Sequence, residues 1–274
     1  MLLVTGATGN VGAELVRALI DAGEPVRALT RSAGALPGGV EAVTGDLDRP
    51  DSLAPALAGV RGVFLLPGYK DMDGVLAAVR DAGVERVVLL SGSSAATGDT
   101  SNAVTAYMMR SEQAVRDSGV AWTILRPFGF MSNALRWLDQ LRQGDVVREP
   151  FANVAVAVID PHDIAAVAAS ALRDEGHEGN TYVLSGPQAL RPADRVAILG
   201  AAIGRELRLE ALSDADARAK MTSEMPVEYV DAFFDFYVDG ALDESQVQPT
   251  VEEVLGREPR SFEQWAAAHA DAFR

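Results

Sequence analysis

The chain contains no cysteine. That single absence excludes disulfides, thiolate metal sites, iron–sulfur clusters and cysteine nucleophiles. Histidine is nearly as scarce, and His162, His177 and His269 are too scattered to suggest a zinc site. No apolar run approaches the roughly 20 residues that span a bilayer. Met1-Leu2-Leu3-Val4-Thr5 runs straight into a glycine turn, leaving no room for a signal peptide, so a cytoplasmic protein is expected. Positive charge is short as well: 24 Lys and Arg face 39 Asp and Glu, a formal net charge of −15. Such a field repels a phosphate backbone, and neither nucleic acid nor membrane is expected as a partner. An anionic ligand must therefore be held by a local feature that overcomes the global charge.

What is present suits a large soluble core: 274 residues, 48% of them hydrophobic. Up to about Pro127, short apolar runs alternate with helical patterns. The strand candidates are Leu2–Thr5, Pro25–Thr30, Val40–Thr44, Val63–Leu66, Arg86–Ser91 and Trp122–Arg126. Helical spacing lies between most of them, as in Val11, Leu15, Val16, Leu19 and Ile20. Nearly continuous Val, Leu and Ile indicate parallel strands covered on both faces. The alternation predicts an α/β fold with a doubly wound parallel Rossmann sheet.

After Pro127 the pattern loosens. It predicts a helix over Phe130–Arg142, an extended stretch Val154–Ile159, and a helix capped by Asp160 with Pro161 in its first turn. Thr181–Leu184 and Glu206–Ala211 read as strands. Pro192–Ile203, Ser213–Thr222, Val227–Val238 and Ser261–Phe273 read as helices. The expected organisation is a dinucleotide-binding core over 1–127 and a smaller C-terminal α/β lobe over 128–274, packed on it as one unit. A homo-oligomer is compatible with this plan.

Gly6-Ala7-Thr8-Gly9-Asn10-Val11-Gly12 follows an apolar strand and opens an amphipathic helix, the context that makes a G-x-x-G-x-x-G turn informative. Gly6 permits the tight turn, Gly9 lets a pyrophosphate approach the backbone, and Gly12 allows close helix–strand packing. Thr8, Asn10 and Val11 begin the helix whose free N–H groups would face the phosphates. The second strand ends in Leu29-Thr30-Arg31-Ser32, with Arg31 where an NAD-specific site would place an acid. Arg31 suits a 2′-phosphate, hence NADP(H), although an ordinary surface arginine is the alternative. In Gly45-Asp46-Leu47, Asp46 either bonds the adenine amino group or caps a helix starting near Asp51.

Taken together, these motifs resemble the NmrA-like branch of the atypical short-chain dehydrogenase/reductase family. The resemblance also rests on Asp117-Ser118-Gly119-Val120-Ala121-Trp122-Thr123-Ile124-Leu125-Arg126-Pro127, on Asp163-Ile164-Ala165-Ala166-Val167 and on Gly179-Asn180-Thr181-Tyr182-Val183-Leu184-Ser185-Gly186. It implies either an NADPH-dependent reductase of quinones and other conjugated acceptors or a redox sensor that binds the nucleotide without turnover. It further implies that the nicotinamide lies near Leu66-Pro67-Gly68, the Ser91–Ser94 loop and Pro127-Phe128-Gly129. The Tyr-x-x-x-Lys pair of ordinary short-chain dehydrogenases is missing: Tyr107 is followed by Arg110 at plus three and Ser111 at plus four. Met108 stands where reductases of the closest branches tend to carry a Lys or His, and methionine cannot transfer a proton.

Tyr107 is thus the candidate catalytic residue, and Ser93, Met108, Phe128 and Met131 are candidates for the substrate pocket. The alternatives are a polar loop for Ser93 and plain core packing for Phe128 and Met131. Loss of the Tyr-Lys pair suits a largely apolar quinone-like acceptor, because the oxyanion left by hydride addition joins an aromatic ring and needs little help. The sensor reading explains the same loss by absence of chemistry.

Overall fold

The computed structural model describes residues 1–30 and 36–274. Every residue of β1 (Leu2–Thr5) is buried, as its unbroken apolar run requires. Helix α1 (Asn10–Asp21) then turns Val11, Leu15, Val16 and Leu19 inward. Next come β2 (Val26–Thr30), β3 (Glu41–Thr44), α2 (Ala54–Leu57), β4 (Gly62–Leu65) and α3 (Met72–Asp81). They are followed by β5 (Arg86–Leu90), α4 (Ala103–Asp117) and β6 (Ala121–Pro127). All six predicted strands of this part form, within a residue or so of their expected ends.

The remaining chain contributes α5 (Leu138–Leu141), β7 (Val146–Glu149), α6 (Pro161–Arg173), β8 (Thr181–Leu184), α7 (Pro192–Ile203) and β9 (Arg208–Ala211). Four helices complete it: α8 (Asp214–Glu224), α9 (Val227–Tyr237), α10 (Thr250–Leu255) and α11 (Phe262–His269). Seven parallel strands are ordered β3-β2-β1-β4-β5-β6-β8. Chain order reverses between β1 and β4, and a doubly wound sheet opens its ligand crevice at that point, beyond the strands' carboxyl ends.

Helices α1 and α6 cover one face, where Leu15, Val16 and Leu19 share a core with Ile164, Ala168 and Leu172. Leu53, Leu76, Val79 and Val115 seal the other. A third core, around Trp137, Leu199, Phe262 and Trp265, builds the lobe. Since β8 lies in the main sheet and α6 packs on α1, the later half of the chain helps to build the nucleotide-binding layer itself.

Several expectations are corrected. The predicted helix over Phe130–Arg142 is a 3₁₀ segment, Met131–Trp137, with one short turn of α-helix after it. Its start is pinned elsewhere: the Met131 N–H donates to the Ile159 carbonyl at 2.8 Å. Val154–Ile159 is non-helical as expected, its bonds going to scattered partners, Val156 to Leu190, Ala157 to Glu244 and Ile159 to Gly129. Strand β7, which pairs with β9, and helix α10 are additions that the sequence pattern did not reveal. Asp160 caps α6 as expected, accepting from the His162 N–H at 2.9 Å. Among the described residues no helix is long and apolar enough to cross a membrane.

Candidate active site

The glycine turn leaves β1 in a left-handed conformation at Gly6, φ +62°, which disfavours any side chain. The Gly9 N–H closes the turn on the Gly6 carbonyl at 2.9 Å. A Cβ at Gly12 would lie 2.1 Å from that same carbonyl oxygen, so helix and turn are in backbone contact there. Helix α1 starts without a side-chain cap and with no acid in its first turn. Its leading N–H groups and positive dipole end are therefore suited to an external anion. Thr8, Gly9 and Asn10 are exposed and border a cavity of about 230 Å³, whereas the Val11 side chain is buried, leaving only its backbone for a ligand. This cradle fits a dinucleotide's pyrophosphate, and its glycines occupy the positions where a side chain would intrude.

At the adenine end, Arg31 lies outside the described residues. Asp46 accepts from the Asp48 N–H at 3.0 Å, and the Ser52 hydroxyl accepts from the Asp46 N–H at 3.0 Å. Asp46 thus closes a local turn and does not cap the short 3₁₀ helix Pro50–Ser52, which has Arg49 at its N-cap position. Leu47 is buried in the core beneath α2 and α3.

The edges of β4, β5 and β6 form the other end. The Leu66 N–H donates to the Thr5 hydroxyl at 3.2 Å, and the Leu66 side chain fills the space over Gly6. Pro67 leads into Gly68, φ +88°, whose N–H donates to the Ser111 hydroxyl at 2.9 Å. Ser111 in turn donates to the Tyr107 carbonyl at 2.9 Å, tying this loop to α4. The half-buried Tyr107 ring lies against Gly68 and meets Tyr229 edge-to-face, centroids 6.3 Å apart. Burial, and then the neighbouring Tyr229, push its pKa above the ordinary phenol value. Among the described residues no group hydrogen-bonds its hydroxyl. Met108 packs beside Gly92, its sulfur 3.8 Å from the Ser91 hydroxyl.

Two buried carboxyls organise the loops after β5 and β6. Glu112 accepts from Ser91 at 2.6 Å, from Arg126 at 2.8 and 2.7 Å, and from Arg116 at 2.9 Å. Burial alone would raise its pKa, but Arg126, Ser91 and Arg116 outweigh that and hold it below the usual glutamate value. Glu244, in the loop after α9, accepts from Ser93 at 2.6 Å and from Tyr237 at 3.0 Å. Its burial dominates and raises its pKa despite the bonds from Ser93, Tyr237 and the Gly129 backbone. Burial and the adjacent Glu244 push Tyr237 up strongly as well.

These contacts refine the sequence-derived assignments. Ser91 is buried with its hydroxyl committed to Glu112, and the Ser93 proton is committed to Glu244. Pro127 ends β6 at the expected edge. Phe128 and Met131 are both buried in the lobe's core, outside the lining of a cavity that opens beside them. The Phe128 N–H bonds the Leu184 carbonyl at 2.9 Å, and Met131 is pinned to Ile159, which turns this segment inward. That cavity, of about 590 Å³, reaches the sheet edge at Gly129 and extends between Asn133, Val156, Phe233 and Tyr237 into the lobe. Glu112 and Glu244 escaped sequence reasoning. Only Arg126, a charge inside an otherwise apolar strand, signalled that a buried partner was needed.

A doubly wound parallel sheet with an uncapped glycine turn at its switch point defines a dinucleotide-binding protein of Rossmann type. The chain belongs to the NAD(P)H-binding family, whose model matches residues 6–175. It is 43% identical over 282 residues to a (4-alkanoyl-5-oxo-2,5-dihydrofuran-3-yl)methyl phosphate reductase of Streptomyces griseus, covering 100% of this chain and 99% of the relative. An NAD(P)H azoreductase of Xenophilus azovorans is 38% identical over 284 residues, with the same coverage. In fold, the chain is similar to an NADPH-dependent quinone oxidoreductase of Escherichia coli solved with NADPH. There the TM-score is 0.81 at 23% identity, covering 98% of this chain and 99% of the other. The NmrA-like resemblance of the sequence agrees with these matches. The chain is an oxidoreductase that uses NAD(P)H, and the silent-sensor reading gives way.

Proposed function

We propose that the chain reduces a conjugated acceptor, with quinones the first class to test, at the expense of NADPH. The observation that carries this reading is the environment of Tyr107, whose ring lies against Gly68. Among the described residues no cation shifts it, and burial, then Tyr229, raises its pKa, so it is a reluctant proton donor. An acceptor whose reduced form is a delocalised anion does not need one. When bound, the nicotinamide supplies the hydride. The glycine turn holds the pyrophosphate, Ser111 fixes the Gly68 loop, and Tyr107 offers a hydrogen bond to the developing oxyanion, with the proton completed from solvent. The relatives' names describe an azo group, a quinone and an acyl-dihydrofuranone, all conjugated acceptors.

The test is NADPH oxidation against quinones, azo compounds, acyl-dihydrofuranones and simple ketones. Turnover of the conjugated acceptors with simple ketones inert is expected, and ketone reduction at comparable rates would overturn the reading. General acid catalysis contributes roughly 10²- to 10⁴-fold, so Tyr107→Phe should lower kcat for a quinone by less than about 10². A larger loss would make Tyr107 a true general acid.

Cofactor choice gives a second expectation. If Arg31 holds the 2′-phosphate, Arg31→Ala should weaken NADPH by about 10- to 100-fold, the worth of one charge-assisted contact, and largely spare NADH. Titration of both nucleotides decides it, since equal weakening of the two would remove Arg31 from that role.

A further inference from the structure

Helix α7 begins at Pro192 and carries Arg195 on its first turn, facing the lobe's large cavity. Arg195 is only 8% exposed. Its Nε is shut off from solvent without a partner, and among the described residues its guanidinium makes no hydrogen bond or ion pair. Such a group is costly to bury unless something completes it.

The other charged side chains lining the cavity are already matched. Arg136 forks onto Glu149, with one bond of 3.1 Å from Nε, and the Trp137 indole N–H reaches the same carboxylate at 2.6 Å. Arg148 pairs with Glu210 at 3.0 Å, Lys220 with Glu224, and Asp139 with Arg142 at 2.6 Å. Facing Arg195 are Arg136, Glu149 and Tyr237, with Asp194 beside it in the chain. The Glu149 carboxylate is taken by Arg136 and Trp137, and the Tyr237 hydroxyl donates to Glu244. One positive charge is thus left over inside a cavity of about 590 Å³, in a chain whose net charge is −15.

We infer that Arg195, backed by Arg136, is a specificity site for an oxyanion on the acceptor, a phosphate monoester, sulfonate or carboxylate. This rests on the proposed reductase function and takes this cavity as the acceptor site, since Gly129, where it reaches the sheet, adjoins the end of β6. The acceptor then spans the site, with its conjugated ring toward Gly129 and its anionic group on the α7 side. A planar guanidinium suits such a group because it can present two parallel N–H bonds. A cavity of this size holds a ligand of drug-like dimensions.

The test measures binding, so it does not depend on turnover. The enzyme is saturated with NADP⁺, which blocks the pyrophosphate cradle, and phenyl phosphate, benzenesulfonate, benzoate and neutral benzyl alcohol are titrated by calorimetry. Wild type should bind at least one of the anions at least about tenfold better than the alcohol, and the ranking of the three identifies the preferred oxyanion. Arg195→Met should weaken that anion by about 10- to 100-fold and leave benzyl alcohol within about twofold, with Arg195→Lys between.

The variants are used with their NADPH affinity and melting temperature measured, and the comparison within wild type stands even if one misfolds. No preference for any anion in wild type, or anion binding unchanged in a folded Arg195→Met, overturns the inference and makes Arg195 a packing residue. Arg195-dependent anion binding in a protein that reduces nothing in the acceptor panel would sustain this site and sink the conjugated-acceptor proposal. Reduction of neutral quinones without any anion preference would do the reverse.

Discussion

Replacing Glu112 by leucine should destabilise the protein by about 3–5 kcal/mol, the usual consequence of breaking a buried ion pair from one side. Glu112 is 1% exposed and satisfies Arg126, Arg116 and Ser91 at once. Leucine fills the space but leaves the Arg126 side chain, 17% exposed, without its anion. At roughly 2–4 °C per kcal/mol for a chain of this size, the melting temperature should drop by about 6–20 °C. The double variant Glu112→Leu/Arg126→Met should recover part of the loss, because the stranded charge goes with it.

The pH dependence has a definite sign. A carboxyl held below its ordinary value contributes stability that is fully present above the unfolded pKa of 4.5 and is lost as pH falls through the folded value. The difference in unfolding free energy between wild type and Glu112→Gln should therefore shrink on acidification below about pH 4.5. Taking the difference matters because Glu244 and Asp160, both raised by burial, push the wild-type curve the opposite way. A constant difference from pH 7 to pH 3 would mean that Glu112 is not an ionised anchor.

The sheet was legible because parallel strands covered on both faces leave a plain trace, nearly unbroken Val, Leu and Ile bounded by Gly, Pro and charge. The glycine turn was legible because steric exclusion acts on the backbone of consecutive residues. The segment after Pro127 misled because its apolar spacing suits a helix, while its hydrogen bonds go to Ile159 and Leu184, partners that no local pattern records. Strand β7 went unseen because four residues alternating exposed and buried against a single partner barely depart from loop composition. Phe128 and Met131 followed the right strand at the right edge, but their inward turn depends on that same distant pairing. Ser91 and Ser93 were read as ligand contacts because a serine after a strand signals a site. Glu112 and Glu244, which accept their hydrogen bonds, lie 21 and 151 residues further along. Arg195 reads in sequence as one arginine among many, and only burial without a partner sets it apart.

The same backbone logic gives the second large effect, and it separates two glycines that the motif treats alike. Gly9 has φ −82°, which any residue adopts, and a Cβ there would meet only the Gly6 carbonyl oxygen, at 3.3 Å. Gly9→Val should need a shift of a few tenths of an ångström, fold, and place its methyl groups where the pyrophosphate approaches. NADPH affinity should fall by at least about 100-fold, or roughly 2.7 kcal/mol, with the melting temperature of the nucleotide-free protein nearly unchanged. At Gly12 the obstacle is internal: a Cβ would stand 2.1 Å from the Gly6 oxygen and 2.7 Å from its carbonyl carbon, both backbone atoms. Gly12→Ala must therefore push α1 away from the turn, at a cost toward the upper end of overpacking, about 3 kcal/mol. Since α1 is packed on α6 through the main core, that variant should lose stability and nucleotide binding together. Thermal unfolding without nucleotide, paired with NADPH titration, tells the two apart. A soluble Gly9→Val protein with near-wild-type affinity would place the pyrophosphate elsewhere, and an undisturbed Gly12→Ala protein would mean that helix and turn are not in contact.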